Sequence, residues 1–385
     1  MKLIEGNEIE FTASGKDLSA GFTKINNVTT YVKADDTKFV IAAVKGVSKK
    51  EDGVYLIGTS TDALAAMKIG GEVKKSGTVR VDANTLSGLL KSRTECHFKT
   101  GGGKIAFKEK KGNFEAHIDV MEFDGDDIRM LEHQLTGERT APMDAAIIKK
   151  LQAAVRRVNL TDFYAKNELP IIIDITSKVM RVYCYDDHHV ALYKAKVKDA
   201  VPLRMALPAK AFSVIEKFIE SDKISFSTSA GRFRVASDEF IVSIPEHQLE
   251  DGYHEAPIQY NKGLDELKPR ATMAFDTKAV SAVSNMSVLT DGETRMAMTI
   301  DDGVVSMTVQ GKGGKVSDKF KAKTTGKGLQ IRVDPRIFLD LFNKAKDQDI
   351  DMNFYKIPAA MSTYRFTTKV DDGTLTLVGT YDEAK

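Results

Sequence analysis

The sequence predicts an α+β chain of three tandem, similar domains, each with two helices packed on antiparallel sheets. The first observation behind this is a helix-and-strand pattern that recurs every 126 residues. The second is the run of alternating, β-rich segments that follows each helix. The third is a length of 385 residues, far beyond the roughly 150 expected of a single domain.

The recurrence is anchored in three segments. Arg80 to Leu86 leads into Leu89 and Leu90, Ala206 to Phe212 into Ile215, and Arg332 to Phe338 into Leu341 and Phe342. In this register Val81 aligns with Leu207 and Val333, Leu86 with Phe212 and Phe338, and Leu89 with Ile215 and Leu341. All are apolar, and the last two of each segment sit three residues apart, on one stripe of a 3.6-residue helix. An Asp or Pro near each start suits capping and the first turn.

These helices are expected over 83–93, 208–220 and 334–347. Strands should follow at Lys104–Phe107 and Phe114–Ile118, then at Ile224–Phe226, Phe233–Val235 and Phe240–Ile244, then at Ile350–Phe354, Tyr364–Thr368 and Thr374–Val378. A second helix set is expected over 16–27, 144–160 and 276–289, followed by strands such as Phe39–Val44, Ile171–Thr176 and Met296–Ile300. The domains accordingly run 1–128, 138–248 and 265–385. The acidic, polar segment 122–139 and the aperiodic segment 249–269, with Pro257 and Pro269, read as linkers.

Composition narrows the function classes. Hydrophobic residues make up 42% and charged residues 29%, which suits substantial cores and excludes a wholly disordered chain. Met1-Lys2-Leu3-Ile4 runs at once into Glu5, and no apolar stretch approaches the roughly 18 residues of a membrane span. A cytoplasmic protein is therefore expected. Cys96 and Cys184 lack C-x-x-C spacing and suit free thiols, which excludes a zinc site of four cysteines.

Net charge is +2, yet the six expected helices carry +6 and the rest of the chain −4. Asp17, Asp144, Asp276 and Asp334 stand at helix starts, where they can cap backbone N–H groups, so the helix bodies are more basic than their sums. A face with Lys149, Lys150, Arg156 and Arg157 would attract a polyanion by counterion release, with little dependence on base sequence. An ordinary solvated face is the alternative.

No catalytic constellation emerges. Cys184 and His188 lie near each other, but no second Cys/His cluster completes a zinc set. Gly101-Gly102-Gly103-Lys104 and Gly311-Lys312-Gly313-Gly314-Lys315 do not match G-x-x-x-x-G-K-[ST] and read as turns between strands. G-x-S-x-G, H-E-x-x-H and G-x-G-x-x-G fingerprints do not occur. Neither an enzyme nor a cofactor is expected.

Three tandem α+β units with two helices each resemble the DNA sliding clamps of the three-domain type, that of the bacterial DNA polymerase III beta subunit. Residues 185–191, Tyr-Asp-Asp-His-His-Val-Ala, look like the second-domain family motif Thr-Asp-Gly-His-Arg-Leu-Ala, and Thr59-Ser60-Thr61-Asp62 resembles the corresponding first-domain turn. The resemblance implies a processivity factor without enzymatic activity: a head-to-tail homodimeric ring that encircles double-stranded DNA, tethers the replicative polymerase and is opened by a clamp-loader ATPase. It implies DNA-facing residues on the matching helices: Lys24, Lys91, Arg93, Lys149, Lys150, Arg156, Arg157, Lys210, Lys217, Lys278, Arg336, Lys344 and Lys346. It also implies a peptide-binding pocket at Leu169, Tyr185, His188, His189, Val190 and Pro245, with Leu375 and Leu377 on the last strand.

Asp187 and His189 replace the motif's Gly and Arg, and Gly379 to Lys385 replaces the family's Met-Pro-Met-Arg-Leu ending. These departures point to a divergent clamp, of the kind a phage brings with its own replication machinery. A structural ring of the same fold that does not encircle DNA is the alternative.

Overall fold

The computed structural model describes the chain apart from residues 1–2, 4–5, 7, 32–36, 47–51, 122–124, 136–140, 160–168, 187–188, 220–222, 230, 250–251, 253–254, 276–279, 288, 290–294, 327, 337, 340–348, 358–361 and 384–385. Among the described residues seven helices stand out: α1 Gly15–Tyr31, α2 Ala83–Leu90, α3 Gly125–Leu135, α4 Ala145–Val158, α5 Ala209–Glu216, α6 Ala256–Asp265 and α7 Val280–Ser287. Among the described residues Pro335, Arg336, Phe338 and Leu339 are also helical, and the strands pair antiparallel. Two compact units result, one of Met1–Ala145 with Lys210–Glu246, the other of Ala146–Ala209 with His247–Lys385.

The first unit holds two sheets. A five-stranded sheet runs in the order Gly71–Lys75, Glu10–Ser14, Glu95–Gly101, Lys104–Glu109, Glu115–Asp119. A seven-stranded sheet runs Ser225–Ser229, Arg232–Ala236, Phe240–Pro245, Leu64–Ile69, Gly53–Thr59, Lys38–Val44, Gly77–Val81. The central pairing is between Phe240–Pro245 and Leu64–Ile69, with Phe240 opposite Met67. A sheet that continues from one end of the chain into the middle segment explains why the compact units cut through 138–248.

Two helices cover opposite faces of that sheet. α1 buries Leu18, Phe22, Ile25 and Val28 at helical spacing. It lies so close that a Cβ on Gly21 would meet Leu56 Cδ1 at 2.7 Å. α3 lies in the segment expected to be a linker. It inserts Ile128, Leu131 and Leu135 among Val40, Ala42, Ile57 and Ile241 on the other face. A spacing of three and four residues puts those side chains on one stripe, and their burial outweighs the polar composition of the segment.

The second unit holds a nine-stranded sheet in the order Leu203–Pro208, Pro170–Ile175, Val179–Tyr185, Val190–Lys196, Gly373–Thr380, Thr363–Val370, Ile350–Tyr355, Ala271–Phe275, Lys323–Thr325. A five-stranded sheet runs Gly314–Lys321, Val304–Gly311, Met296–Asp301, Leu329–Val333, Asp382–Glu383. Here the continuous pairing is Val190–Lys196 with Gly373–Thr380. α6 also lies in an expected linker. Pro257 stands in its first turn, where the missing N–H costs nothing, so the proline starts a helix rather than preventing one.

The 126-residue register describes real burial at most positions. Val81, Leu207 and Val333 are buried, as are Leu86, Phe212 and Phe338. The third set differs: Ile215 is buried, Leu89 is 36% exposed and Leu341 lies outside the described residues. In α2 the inner stripe runs Ala83, Leu86, Leu90, so the i+4 residue rather than the i+3 residue turns inward. Of the helix expected over 334–347, Pro335, Arg336, Phe338 and Leu339 are helical and 340–348 lie outside the described residues. Asp82 caps α2 by accepting from the Asn84 and Thr85 amides, and the Thr85 hydroxyl and those amides hold its carboxyl below the usual range.

Candidate nucleic-acid interface and peptide patch

The outward stripe of α1 is Lys16, Ala20, Thr23, Lys24 and Asn27, opposite its buried stripe. Ser19 ties this helix to α2, its Oγ donating to Ser87 O at 3.0 Å. At the end of α2 stands Lys91, where a cation suits the negative end of the helix dipole. Lys217 follows α5 in a turn. These elements enclose a groove of about 650 Å³ whose four lysines, Lys16, Lys24, Lys91 and Lys217, share a lining otherwise made only of Ser, Thr, Ala and Asn. Among the described residues its lining contains no acid, and four lysines so close together raise a positive field.

Three of the expected DNA-facing residues, Lys24, Lys91 and Lys217, meet in this groove, together with Lys16, which the sequence reading left out of that set. Its signal was spacing: Lys16 and Lys24 are eight apart, two turns along one face.

Other expected contacts serve the fold. Arg93 lies 3.8 Å above the Phe114 ring and pairs with Glu109 at 3.4 Å, while the Thr94 amide and Arg93 hold the Glu109 carboxyl below the usual range. Lys150 bonds Asp372 and the Lys196 carbonyl, and Arg157 pairs with Asp371 at 3.1 Å, so both anchor α4 to a hairpin turn. Arg336 pairs with Asp334 at 2.8 Å. Lys210 extends over the Tyr31 ring, 5.9 Å from its centre. Lys149 and Arg156 are exposed on α4. Lys278, Lys344 and Lys346 lie outside the described residues.

The expected pocket residues separate. In the 185–190 turn the His189 amide donates to Asp186 Oδ1 at 2.6 Å, and His188 lies outside the described residues. Tyr185 pairs with Val190 across this hairpin, and Val190 with Val378, so the three share one sheet face. Leu377 sits opposite Ala191 and Leu375 opposite Tyr193, on the other face, where they are 2% and 0% exposed. The residue beside Val190 is thus Val378, one position from the expected Leu377, and in a strand one position reverses the face. Leu169 is half-buried before its strand, and Pro245 is exposed at the end of a strand in the other unit.

The Tyr185–Val190–Val378 face is not bare. Leu264 of α6 packs on Val190, Val378 and Tyr355, and Ile258, Tyr185 and Leu249 each pack against the cluster of Ile172, Tyr183, Leu192 and Ala206.

Among the described residues no group of three or more His, Cys, Asp or Glu could hold a metal ion, and no helix is long and apolar enough to cross a membrane. Cys96 and Cys184 are buried and neither is in a disulfide.

No protein-family profile matches the sequence, and no curated protein does. Solved structures do match. The DNA polymerase sliding clamp of Bacillus subtilis aligns over 98% of this chain and 100% of its own, with a TM-score of 0.76 at 15% identity. The DNA polymerase III beta subunit of Thermotoga maritima aligns over 98% and 100%, with a TM-score of 0.72 at 14% identity. The Pseudomonas aeruginosa sliding clamp bound to griselimycin gives the same coverage, with a TM-score of 0.71 at 14% identity. End-to-end superposition at such low identity establishes architecture, and this chain has the fold of the bacterial DNA polymerase III beta sliding clamps.

Proposed function

We propose that the chain is a DNA polymerase processivity clamp: three clamp domains, 1–128, 138–248 and 265–385, two copies of which close head to tail around duplex DNA. The observation that carries this reading, beyond the fold, is the groove in which Lys16, Lys24, Lys91 and Lys217 converge. Lysines at the ends of flexible stems contact phosphates without reading bases, which lets a ring slide. The ring needs no catalytic residue. It keeps a tethered polymerase at high effective concentration near the primer end, and a loader ATPase opens it.

Two outer strands support the head-to-tail contact. Glu115–Asp119 ends the first unit's five-stranded sheet with Glu115, His117 and Asp119 on its exposed face. Gly314–Lys321 ends the second unit's five-stranded sheet with Lys315, Ser317, Lys319 and Lys321 on its exposed face. Set antiparallel between two copies, with His117 opposite Ser317, the strands bring Glu115 to Lys319, Asp119 to Lys315 and Ile118 to Val316. Edges of unlike patch chemistry make a heterologous contact, the kind that closes a ring.

The reading is tested by retention on DNA. Protein loaded on nicked circular DNA with a competent loader should stay on the circle and leave once the circle is linearised. Equal behaviour on both forms overturns encirclement. The rival, a ring of this fold that does not encircle DNA, draws on the pairing of Arg93, Lys150, Arg157 and Arg336 with acids, which lowers the charge left for phosphate. The same assay separates the two.

A further inference from the structure

We propose that α6 is a built-in occupant of the patch where partner peptides dock, so that a partner binds by displacing it and must imitate it. The proposal rests on the peptide-docking part of the clamp reading. It goes beyond that reading by naming what fills the patch in this chain and what chemistry can replace it.

The patch is a strip of one sheet face. Across five strands Tyr185 lies opposite Val190, Val190 opposite Val378 and Val378 opposite Arg365, while Thr363, two residues from Arg365 on the same strand and face, lies opposite Tyr355. α6 meets this strip with three kinds of contact. Leu264, 2% exposed, packs with Val190, Val378 and Tyr355, and Ile258 and Tyr185 both pack on the adjoining cluster of Ile172, Tyr183, Leu192 and Ala206. The Tyr260 hydroxyl shares a hydrogen bond of 2.9 Å with Thr363. Asp265 forms an ion pair with Arg365, whose side chain is 15% exposed and extends over the Tyr355 ring at 5.6 Å.

The occupant is weakly built. A ten-residue helix is below the length that holds on its own in water. Its N-cap, Glu255, makes no side-chain capping bond, and Gly263 sits inside its last turn. Tyr260 is 41% exposed and the apolar grip reduces to Ile258, Leu264 and Pro257. The strands beneath are fixed by continuous ladders on both sides. Helix and sheet therefore differ in how readily they open, and the weaker one can leave while the stronger stays.

The patch also keeps something that α6 does not satisfy. Arg365 Nε is buried and, among the described residues, has no hydrogen-bond partner, while its Nη1 serves Asp265 and Asn261. A carboxylate arriving from a different backbone could take Nε and a terminal nitrogen together, the bidentate geometry guanidinium favours. The replacing partner is therefore a short peptide with two aliphatic anchors for the Leu264 and Ile258 positions and an acid for Arg365.

A cis–trans exchange tests this. A fluorescein-labelled peptide covering 255–267 is titrated by anisotropy against the full chain and against the full chain carrying Ile258→Ser and Leu264→Ser. The peptide should bind the double variant at least tenfold tighter than the unaltered chain, and adding Arg365→Ala to that variant should weaken it again. Equal affinity for both chains, or binding to neither, overturns the proposal. Should the double variant fail to fold, Asp265→Asn replaces it, read by amide hydrogen exchange. Residues 256–266 should then exchange at least tenfold faster than in the unaltered chain while Val190–Lys196 keeps its protection. Exchange of both segments together overturns the proposal. Retention on circular DNA is scored separately, so a chain that encircles DNA but fails the peptide test loses only this inference.

Discussion

Reversing the charge of one sheet edge should dissolve the head-to-tail dimer, and reversing its partner edge should restore it. Glu115 and Asp119 stand on the outer strand of one sheet and Lys315 and Lys319 on the outer strand of another. Within one chain Asp119 approaches Lys104 at 3.7 Å and Glu115 approaches His117 at 3.4 Å, both largely exposed, so each acid is free to exchange a weak partner for a lysine of a second copy. An exposed cross-strand pair contributes about 0.5 kcal/mol, and like charges opposite each other cost a similar amount. Glu115→Lys with Asp119→Lys flips two pairs at each of two contacts, a change of about 4 kcal/mol, or roughly a thousandfold in dimer dissociation. Light scattering on a sizing column should find this variant monomeric at concentrations where the unaltered chain is a dimer. A chain with Lys315→Glu and Lys319→Glu should behave alike. Mixed one to one, the two variants should dimerise, because each contact then joins opposite charges. Two reversed variants that stay dimeric, or a mixture that stays monomeric, would refute the edge pairing. The salt dependence gives a second reading, since screening weakens exposed pairs.

Other outcomes follow from particular side chains. Replacing Lys16, Lys24, Lys91 or Lys217 by Ala should lower duplex affinity equally for all sequences and reduce the slope of log K against log salt by about 0.9 per lysine, measured by anisotropy. Arg93→Ala should instead leave that slope unchanged and cost about 1–2 kcal/mol in urea unfolding, through the lost Phe114 stack and Glu109 pair. Phe212→Ala should cost about 3–5 kcal/mol, while Leu89→Ala, at the same period but exposed, should stay within about 0.5 kcal/mol. Burial pushes the Tyr183 and Tyr193 hydroxyls up to about 12. A raised phenol stabilises the fold fully below its ordinary value near 10, so stability should be retained to about pH 10 and fall as pH rises toward 12. Denaturation followed by phenolate absorbance, with Tyr193→Phe as control, checks this.

The strands were legible because period-two alternation is short and local. Phe240–Ile244 and Ile350–Phe354, for example, differ from the observed Phe240–Pro245 and Ile350–Tyr355 by one terminal residue. α2 and α5 were legible because their inner stripes recur at 126 residues. α3 and α6 were not. In α3 four apolar residues among eleven, Met130 among them exposed, sit in an acidic stretch, and in α6 a proline precedes a run with Gly263, so both segments carry loop composition. What turns them into helices is a sheet face that would otherwise be bare, and that face is assembled from strands more than sixty residues away in sequence for α3 and from both ends of the middle and last segments for α6.

The site divides along the same line. Capping and periodicity place the helices, and the resemblance to the sliding clamps assigned Lys24, Lys91 and Lys217 to their DNA-facing sides, so three of the four groove lysines are in the expected set. The patch depended on register instead. The resemblance implies Leu375 and Leu377 on a last strand in which Val378 is equally apolar. Only the pairing of Val190 with Val378 decides which of the two alternating sets faces Tyr185. The same alternation explains why α6 escaped notice as an occupant: a helix in a linker has no meaning until the face it covers is known. Sequence patterns locate side chains along an element, whereas function in this fold depends on which face of a shared sheet those side chains reach, and that is set by pairing between distant strands.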